Sequence, residues 1–404
     1  MKDDNWKKFP ALFSLYIAQS VPMSFFSTVI PVIMRQENFS LQAIGMIQLV
    51  RVPWILKLFW APVVDNSSRS SRDLKKWIFF SELFYAAVIV SIAFFNLQTD
   101  FTLIIVLMVI ATTASATQDI ATDSFAIHLL KKEERELGNT IQAGASFIGA
   151  LISAGVLIFA FSFFGWSVFL FILAAFTIFA LGPVLFFKKK FTIHEEGTKL
   201  SYRELFSFLQ NREIRRRLPL LLLMFSGFMG IMTMLKPYLV DLGYNLTEIA
   251  FMSGIIGTSS AALSTVIAGL LMKFLGRKGG TAAIAFYAIL TALYFWYISG
   301  TDPTDFQAYL GVGLVWAAYG SATMAIYTSS MDVTRKGAAG TDFTFQIVIT
   351  HVGSMIVAVL SGRFADRFGY DSLFIAEAVL GILTLVVILL TMKGGKAIKP
   401  QSQH

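Results

Sequence analysis

Apolar residues run along this chain in stretches of about 20, the length that crosses about 30 Å of hydrocarbon at 1.5 Å per residue. Twelve such stretches can be marked, at 9 to 33, 43 to 64, 75 to 97, 102 to 129, 138 to 160, 166 to 187, 217 to 239, 249 to 273, 279 to 299, 306 to 331, 341 to 363 and 370 to 391. The polar gaps between them are short, with one exception. The segment FKKKFTIHEEGTKLSYRELFSFLQNREIRRRLP, Phe187 to Pro219, divides the stretches six and six. Within it SYRELFSFLQ has the pattern of a short amphipathic helix lying in the interface, so the segment reads as a tether rather than a separate domain. A weak repeat supports two related halves: FFGWSVFLFI, Phe163 to Ile172, recurs as RFGYDSLFIA, Arg367 to Ala376, each opening the last stretch of its half. The pattern predicts an all-α membrane protein of twelve transmembrane helices, with a six-helix bundle over 1–187, a cytoplasmic linker over 188–216 and a second bundle over 217–404.

Composition agrees, since 56% of residues are hydrophobic and only 14% charged, against about a quarter charged in a soluble domain. Lys and Arg outnumber Asp and Glu by 33 to 25, a balance that suggests nucleic acid until the positions are read. With a cytoplasmic N-terminus, all but six of these cations fall in cytoplasmic segments; the exceptions are Arg35, Arg51, Lys57, Lys236, Arg363 and Arg367. That asymmetry obeys the positive-inside rule and places both termini in the cytoplasm, with lipid rather than nucleic acid as the surrounding partner. The cations of the central segment read as topology determinants. With no cysteine, disulfides and thiolate metal sites are excluded. The opening MKDDNWKKFP leads into a run too long for a signal-peptide core, which points to a retained first helix.

Charged and amide side chains inside the apolar stretches are the candidate chemistry. Ionised groups in hydrocarbon cost several kcal/mol or more, and persist where they line a cavity, pair or relay protons. Asp119 and Asp123 lie four residues apart in the fourth stretch, on one helix face. Lys57 and Asp119 sit at matching depths, on the order of 12 to 15 Å from the cytoplasmic ends of their stretches, and can pair. Three roles stay open for the aspartates: a static or gating salt bridge, proton coupling through a carboxyl that alternates between charged and neutral, and substrate contact. Asp65, Asp332, Arg335 and Asp342 cluster at cytoplasmic ends and suit a gate, while the deeper Gln346, with Gln142 as its counterpart, suits substrate contact. His351 is either a group titrating near neutral pH or a hydrogen-bonded interior histidine. Lys236 either snorkels to the interface or captures an anion. Gln19 beside Pro22 forms a plausible cavity wall at a helix distortion, and Trp54, Trp60, Trp316 and Tyr319 are available to stack on an aromatic ligand. No HExxH, GxSxG or glycine-rich phosphate loop is present, which argues against a membrane-embedded enzyme. Nor is there an appended sensory domain to suggest a receptor. No cofactor or metal site is expected.

Loop motifs narrow the picture. GLLMKFLGRKGG, Gly269 to Gly280, resembles the G-x-x-x-D-R-x-G-R-K signature of major facilitator proteins, with Lys273 where the acid is expected, and SGRFADRFGY, Ser361 to Tyr370, is a looser relative. Arg277, Lys278, Asp366 and Arg367 read as latches at helix turns rather than substrate contacts. LVRVPWILKLFWAPVVD, Leu49 to Asp65, together with YIAQSVPMSFFSTVIPVIMR, TQDIATDSFAIHLL and MDVTRKGAAGTDFTFQ, looks like the AmpG-related branch of that superfamily, and its KxxWAPxxD and AGTDxxxQ patterns are the distinctive ones together. Within it, PVIMR and the short chain are more similar to the siderophore permeases RhtX and FptX. The resemblance implies a major facilitator fold of two pseudo-symmetric six-helix halves with a central site near mid-membrane. It also implies a monomeric transporter of the bacterial inner membrane that imports a small molecule with protons. A siderophore or ferri-siderophore ranks first as substrate and an anhydromuropeptide second. One departure stands out: Arg51 occupies a position where that branch is expected to carry an apolar residue. A guanidinium near mid-membrane needs a partner, and a bidentate anion fits best, either an anionic substrate or a carboxylate such as Glu377 or Asp119.

Overall fold

In a computed structural model, the residues described are 4–26, 30, 33, 34, 47–153, 158–187, 191–193, 212–335 and 337–392, and they are almost wholly helical. The helices are α1 (Lys8–Ser24), α2 (Val52–Leu56), α3 (Ala61–Ser67), α4 (Ser71–Ile92), α5 (Phe101–Leu129), α6 (Arg135–Ile152), α7 (Ile158–Ala180), α8 (Gly182–Phe186), α9 (Arg212–Leu223), α10 (Met229–Asp241), α11 (Leu246–Phe251), α12 (Thr258–Ser299), α13 (Asp305–Met331) and α14 (Ala339–Thr391). The interfacial helix expected at SYRELFSFLQ, most of the linker, and the PVIMR residues Pro31, Val32 and Arg35 lie outside the described residues.

Among the described residues, five segments are long and apolar enough to cross a membrane: Phe101–Leu129, Phe163–Leu185, Thr247–Ser299, Asp305–Met331 and Ala339–Thr391. Two of them run for 53 residues, about 80 Å at 1.5 Å per residue and far more than one crossing needs. Each is divided by a glycine in the left-handed region, Gly276 at φ 73° and Gly369 at φ 81°, where two helical runs meet. Gly165, at φ 70°, plays the same part in α7. Glycine adopts this backbone freely, whereas an L side chain there is strained. Gly165 and Gly369 are the same position of the sequence repeat, so the repeat is a repeated corner. The aromatic residue that follows each glycine ties it down: Trp166 Nε1 donates to the Phe95 carbonyl at 3.0 Å, and the Tyr370 hydroxyl to Asp241 at 2.7 Å.

Among the described residues, length and apolarity alone mark fewer than the twelve expected crossings, and α2, α3 and α10 are each shorter than a crossing. The stretch expected at 43 to 64 shows why. It is cut into a 3-10 turn at Ile47–Arg51, then α2, a second 3-10 turn at Lys57–Phe59, and α3. Pro53 and Pro62 each sit in the first turn of their helix, where a missing N–H costs nothing but continuation from the preceding helix is blocked.

Contacts group the chain into two compact units: one of Met1–Glu133, Ala145–Leu205 and Thr334–Phe345, the other of Glu134–Gly144, Phe206–Val333 and Gln346–His404. The core of the first joins Phe25, Tyr85, Ile89, Met108, Phe169 and Leu173, with the Phe25 and Phe169 rings 4.5 Å apart. In the second, the rings of Tyr238, Phe295 and Phe374 meet edge-on or tilted, and small residues let backbones approach. A Cβ on Gly227 would lie 2.8 Å from the Gly381 Cα, the close contact that helices in lipid exploit. Large apolar side chains meanwhile face outward, among them Phe179 at 81% and Leu390 at 80% exposed. Lipid covers such a surface without cost; water does not.

Candidate functional site

In the first unit, α2, α3 and the turn between them bring the charges of the second expected stretch against α5. Lys57 Nζ pairs with the Asp119 carboxylate in direct contact, and both side chains are nearly inaccessible. The ammonium also lies 5.0 Å from the centre of the Trp54 ring, and Trp60 Nε1 donates to Thr117 Oγ1 at 3.0 Å. One turn along α5, Asp123 accepts a hydrogen bond from the Tyr16 hydroxyl at 3.2 Å. The two aspartates share a helix face but have different partners, a cation for one and a phenol for the other.

Asp65, at the end of the KxxWAPxxD motif, caps the N-terminus of α14. Its carboxylate accepts from the Gly340 N–H at 3.3 Å, the Thr341 N–H at 2.7 Å and Thr341 Oγ1 at 2.7 Å, with Ser124 Oγ at 3.3 Å. Helix N-termini present unsatisfied N–H groups and a partial positive charge, so a carboxylate there is stabilised twice. Gly340 is required by the approach, since a Cβ would lie 3.0 Å from both Asp65 Oδ1 and the Ile120 carbonyl. The two motifs most distinctive in the sequence are therefore one contact. Beside it, Asp342 is gripped by Arg335 through its N–H, Nε and Nη2 at 2.9, 2.9 and 2.7 Å.

In the second unit, Asp332 accepts from Arg135 Nη1 at 2.9 Å and Arg277 Nε at 2.7 Å, and Arg277 also pairs with Glu136. The facilitator-like signature lacks its acid at Lys273; the acids that hold its arginine are Asp332 and Glu136, from other helices. Arg217 Nη2 donates to Ser329 Oγ at 3.3 Å and Gln346 Nε2 to the Ser330 carbonyl at 3.1 Å. A π-helical stretch at Met252–Gly257 lies against Trp316, whose ring atoms would be 2.6 Å from a Cβ on Gly257. Such bulges recur at functional sites, and here Ser253 Oγ and Trp316 Nε1 are buried without hydrogen-bond partners.

The structure sorts the residues singled out from the sequence. Lys57 with Asp119, Asp65 with the α14 N-terminus, Asp332 with two arginines, and Asp342 with Arg335 are assembled as polar contacts. Gln19 Nε2 and Trp54 Nε1 are buried and have no hydrogen-bond partner among the described residues, and Gln142 is buried in α6. Arg51 ends its 3-10 turn exposed. The carboxylates suggested as its partners are engaged elsewhere: Asp119 by Lys57, and Glu377 by the Gly230 N–H at 3.0 Å. His351 corrects an expectation. It is exposed, not interior, because it falls about 140° around the helix from the buried Gln346 at 100° per residue, on the outward face with Met355 and Val359. Glu82 joins these residues from the structure. A single acid at the eighth position of the apolar stretch 75 to 97 was the signal, and the structure buries it completely in α4.

Comparison with known proteins completes the description. A family model described as the Major Facilitator Superfamily matches residues 12–345. The anhydromuropeptide permease of Escherichia coli K12 is 23% identical over 394 residues, spanning 95% of this chain and 80% of the relative. An uncharacterized protein of Haemophilus influenzae is 24% identical over 380 residues, 88% of this chain and 87% of that one. Among solved structures, the E. coli fucose:proton symporter matches with a TM-score of 0.73 at 14% identity, over 97% of this chain and 100% of the other. A bacterial homologue of the iron transporter ferroportin, in an outward-facing state, matches with 0.69 at 13%, over 95% and 99%. At these identities the solved structures speak to the fold alone. The helical architecture, the glycine corners and a family match over most of the length converge: the chain belongs to the Major Facilitator Superfamily and is a multi-pass membrane transporter.

Proposed function

We propose that this protein is a proton-coupled secondary transporter of a bacterial inner membrane, importing anhydromuropeptides or closely related sugar-peptide anions by alternating access. The observation that carries the reading is the Asp65 cap. It joins KxxWAPxxD to AGTDxxxQ, 275 residues away, through three hydrogen bonds to Gly340 and Thr341. Non-covalent polar contacts at the cytoplasmic ends of helices are what a transporter must make and break as access switches. The similarity to a permease named for anhydromuropeptides runs along 95% of this chain, and it reverses the substrate order expected from the sequence, so siderophore import now stands second. In this reading Lys57–Asp119, Asp65–Thr341, Asp332–Arg277 and Asp342–Arg335 are gating contacts. Arg51, Gln19 and Trp54 in the first unit, and Gln142, Trp316 and Gln346 in the second, are assigned to substrate. Amides, indoles and a guanidinium suit a ligand bearing hydroxyls, amides and carboxylates.

The test is uptake of labelled anhydromuropeptide and labelled ferri-siderophore into cells producing the protein, with and without a protonophore. Accumulation of the muropeptide, abolished by the protonophore, is expected. Accumulation of ferri-siderophore alone defeats the substrate assignment. Counterflow in proteoliposomes separates a transporter from a receptor or enzyme, because only a transporter exchanges unmodified ligand across the bilayer.

A further inference from the structure

The contacts above leave one membrane-embedded carboxyl without a task. Glu82 lies eleven residues after the start of α4 at Ser71, about 16 Å along the axis, and is fully buried. Among the described residues, neither carboxyl oxygen has a hydrogen-bond partner. An ionised carboxylate in that position, desolvated and unpaired, is among the most costly arrangements a protein can hold.

The neighbour shown for it is polar yet uncharged. Tyr85, one turn along the same helix, has its phenol within interaction range of both Glu82 and Ser115. On α5, which packs along α4, Ser115, Gln118 and Thr122 recur at a spacing that shares one helix face. All three are fully buried, and among the described residues the side-chain polar atoms of all three, with the Tyr85 hydroxyl, lack hydrogen-bond partners by geometry. Charged groups on the packed elements are occupied: Asp119 of α5 holds Lys57, Asp123 meets Tyr16, and Asp65 of α3 caps α14. Helix α7, also packed on α4, carries no titratable side chain. Lys75 of α4, nearer the cytoplasmic end, donates to the Phe187 carbonyl.

We infer that Glu82 is an exchangeable proton site, set in a polar seam between α4 and α5. In the state described it holds a proton. On release, the carboxyl O–H bond breaks, the proton passes to water, and the carboxylate accepts hydrogen bonds from the Tyr85 and Ser115 hydroxyls and the Gln118 amide. A seam that merely buried an inert acid has no need of these unpartnered donors beside it. A sodium site fits less well, because a bound metal cation needs several oxygens converged on one point, whereas among the described residues neither Glu82 oxygen has even one hydrogen-bond partner. This assignment deepens the proton-coupled reading above and rests on it, by moving the titrating group from Asp119 and Asp123 to α4.

The decisive variant is Glu82→Gln, isosteric with the protonated acid and therefore expected to fold. Infrared difference spectra of the purified protein in lipid, recorded from mildly acidic to alkaline pH, should show a protonated-carboxyl band. That band should shift on hydrogen–deuterium exchange, vanish at alkaline pH and be missing from the variant. Absence of such a band, or one indifferent to pH and exchange, or one that responds to sodium in place of pH, overturns the proposal. In proteoliposomes with labelled anhydromuropeptide, the variant should keep exchange at equal pH and lose accumulation driven by a proton gradient. Accumulation equal to wild type also overturns it. If the wild type moves that probe in neither mode, the transport reading fails and the infrared titration alone decides Glu82.

Discussion

Lys57 and Asp119 illustrate what a single buried charge demands. The pair is hidden from solvent, so removing the ammonium strands a carboxylate in a place where neither water nor another cation reaches it. Lys57→Ala is expected to destabilise the protein by about 3–5 kcal/mol, read as a lower midpoint for thermal unfolding in detergent. The double variant that also replaces Asp119 by Ala should recover part of the loss; no recovery would mean the pair is not the source. Arg51 predicts the opposite signature. Being exposed and free of the carboxylates once offered as partners, it should be dispensable for folding. Arg51→Ala is expected to leave yield unchanged and to weaken apparent affinity for muropeptide. Reduced yield with unaltered affinity would remove it from the substrate site. The Lys57–Asp119 pairing could be read from depth along two helices, because both positions follow from a fixed rise per residue. Partners such as Tyr16 for Asp123, or Glu136 for Arg277, could not, since nothing local specifies which distant helix faces which.

At the scale of elements, the informative features are helix ends and breaks. The N-terminus of α14 is closed by a carboxylate from α3, and hydrogen bonds to a charged group are each worth about 1.5–3 kcal/mol. Asp65→Ala should therefore lower both thermal stability and uptake, and Asp65→Asn, which keeps an acceptor but not the charge, should fall between it and wild type. An uptake rate unaffected by Asp65→Ala would separate the cap from gating. Close helix approach gives a second expectation. A Cβ on Gly353 of α14 would collide with the Leu222 carbonyl of α9, so Gly353→Ala should cost about 1–3 kcal/mol by overpacking, visible in the same unfolding assay. The positions of the corner glycines lie within the polar gaps that the apolar pattern marks. The breaking of the second stretch into four short helical pieces does not follow from that pattern. Its residues are mostly apolar, with Gln48, Arg51 and Lys57 the polar exceptions, and Pro53 and Pro62 carry the instruction to interrupt.

For the whole molecule, transport is the property to be tested, and the protonophore experiment with Glu82→Gln beside wild type addresses substrate and coupling in one series. By itself the sequence determined that this is a helical membrane protein, where its apolar stretches run, which motifs tie it to the facilitators, and that Lys57 and Asp119 lie at one depth. Those properties are local: hydropathy over 20 residues and the helix rise require no knowledge of what packs against what. Only the tertiary structure decided that KxxWAPxxD and AGTDxxxQ are two sides of one contact, that Asp332 pairs with Arg277, that His351 is exposed, and that Glu82 has no hydrogen-bond partner among the described residues. Each of these depends on the rotation of a helix about its axis and on neighbours from distant parts of the chain. Packing sets both, and the local pattern leaves them open.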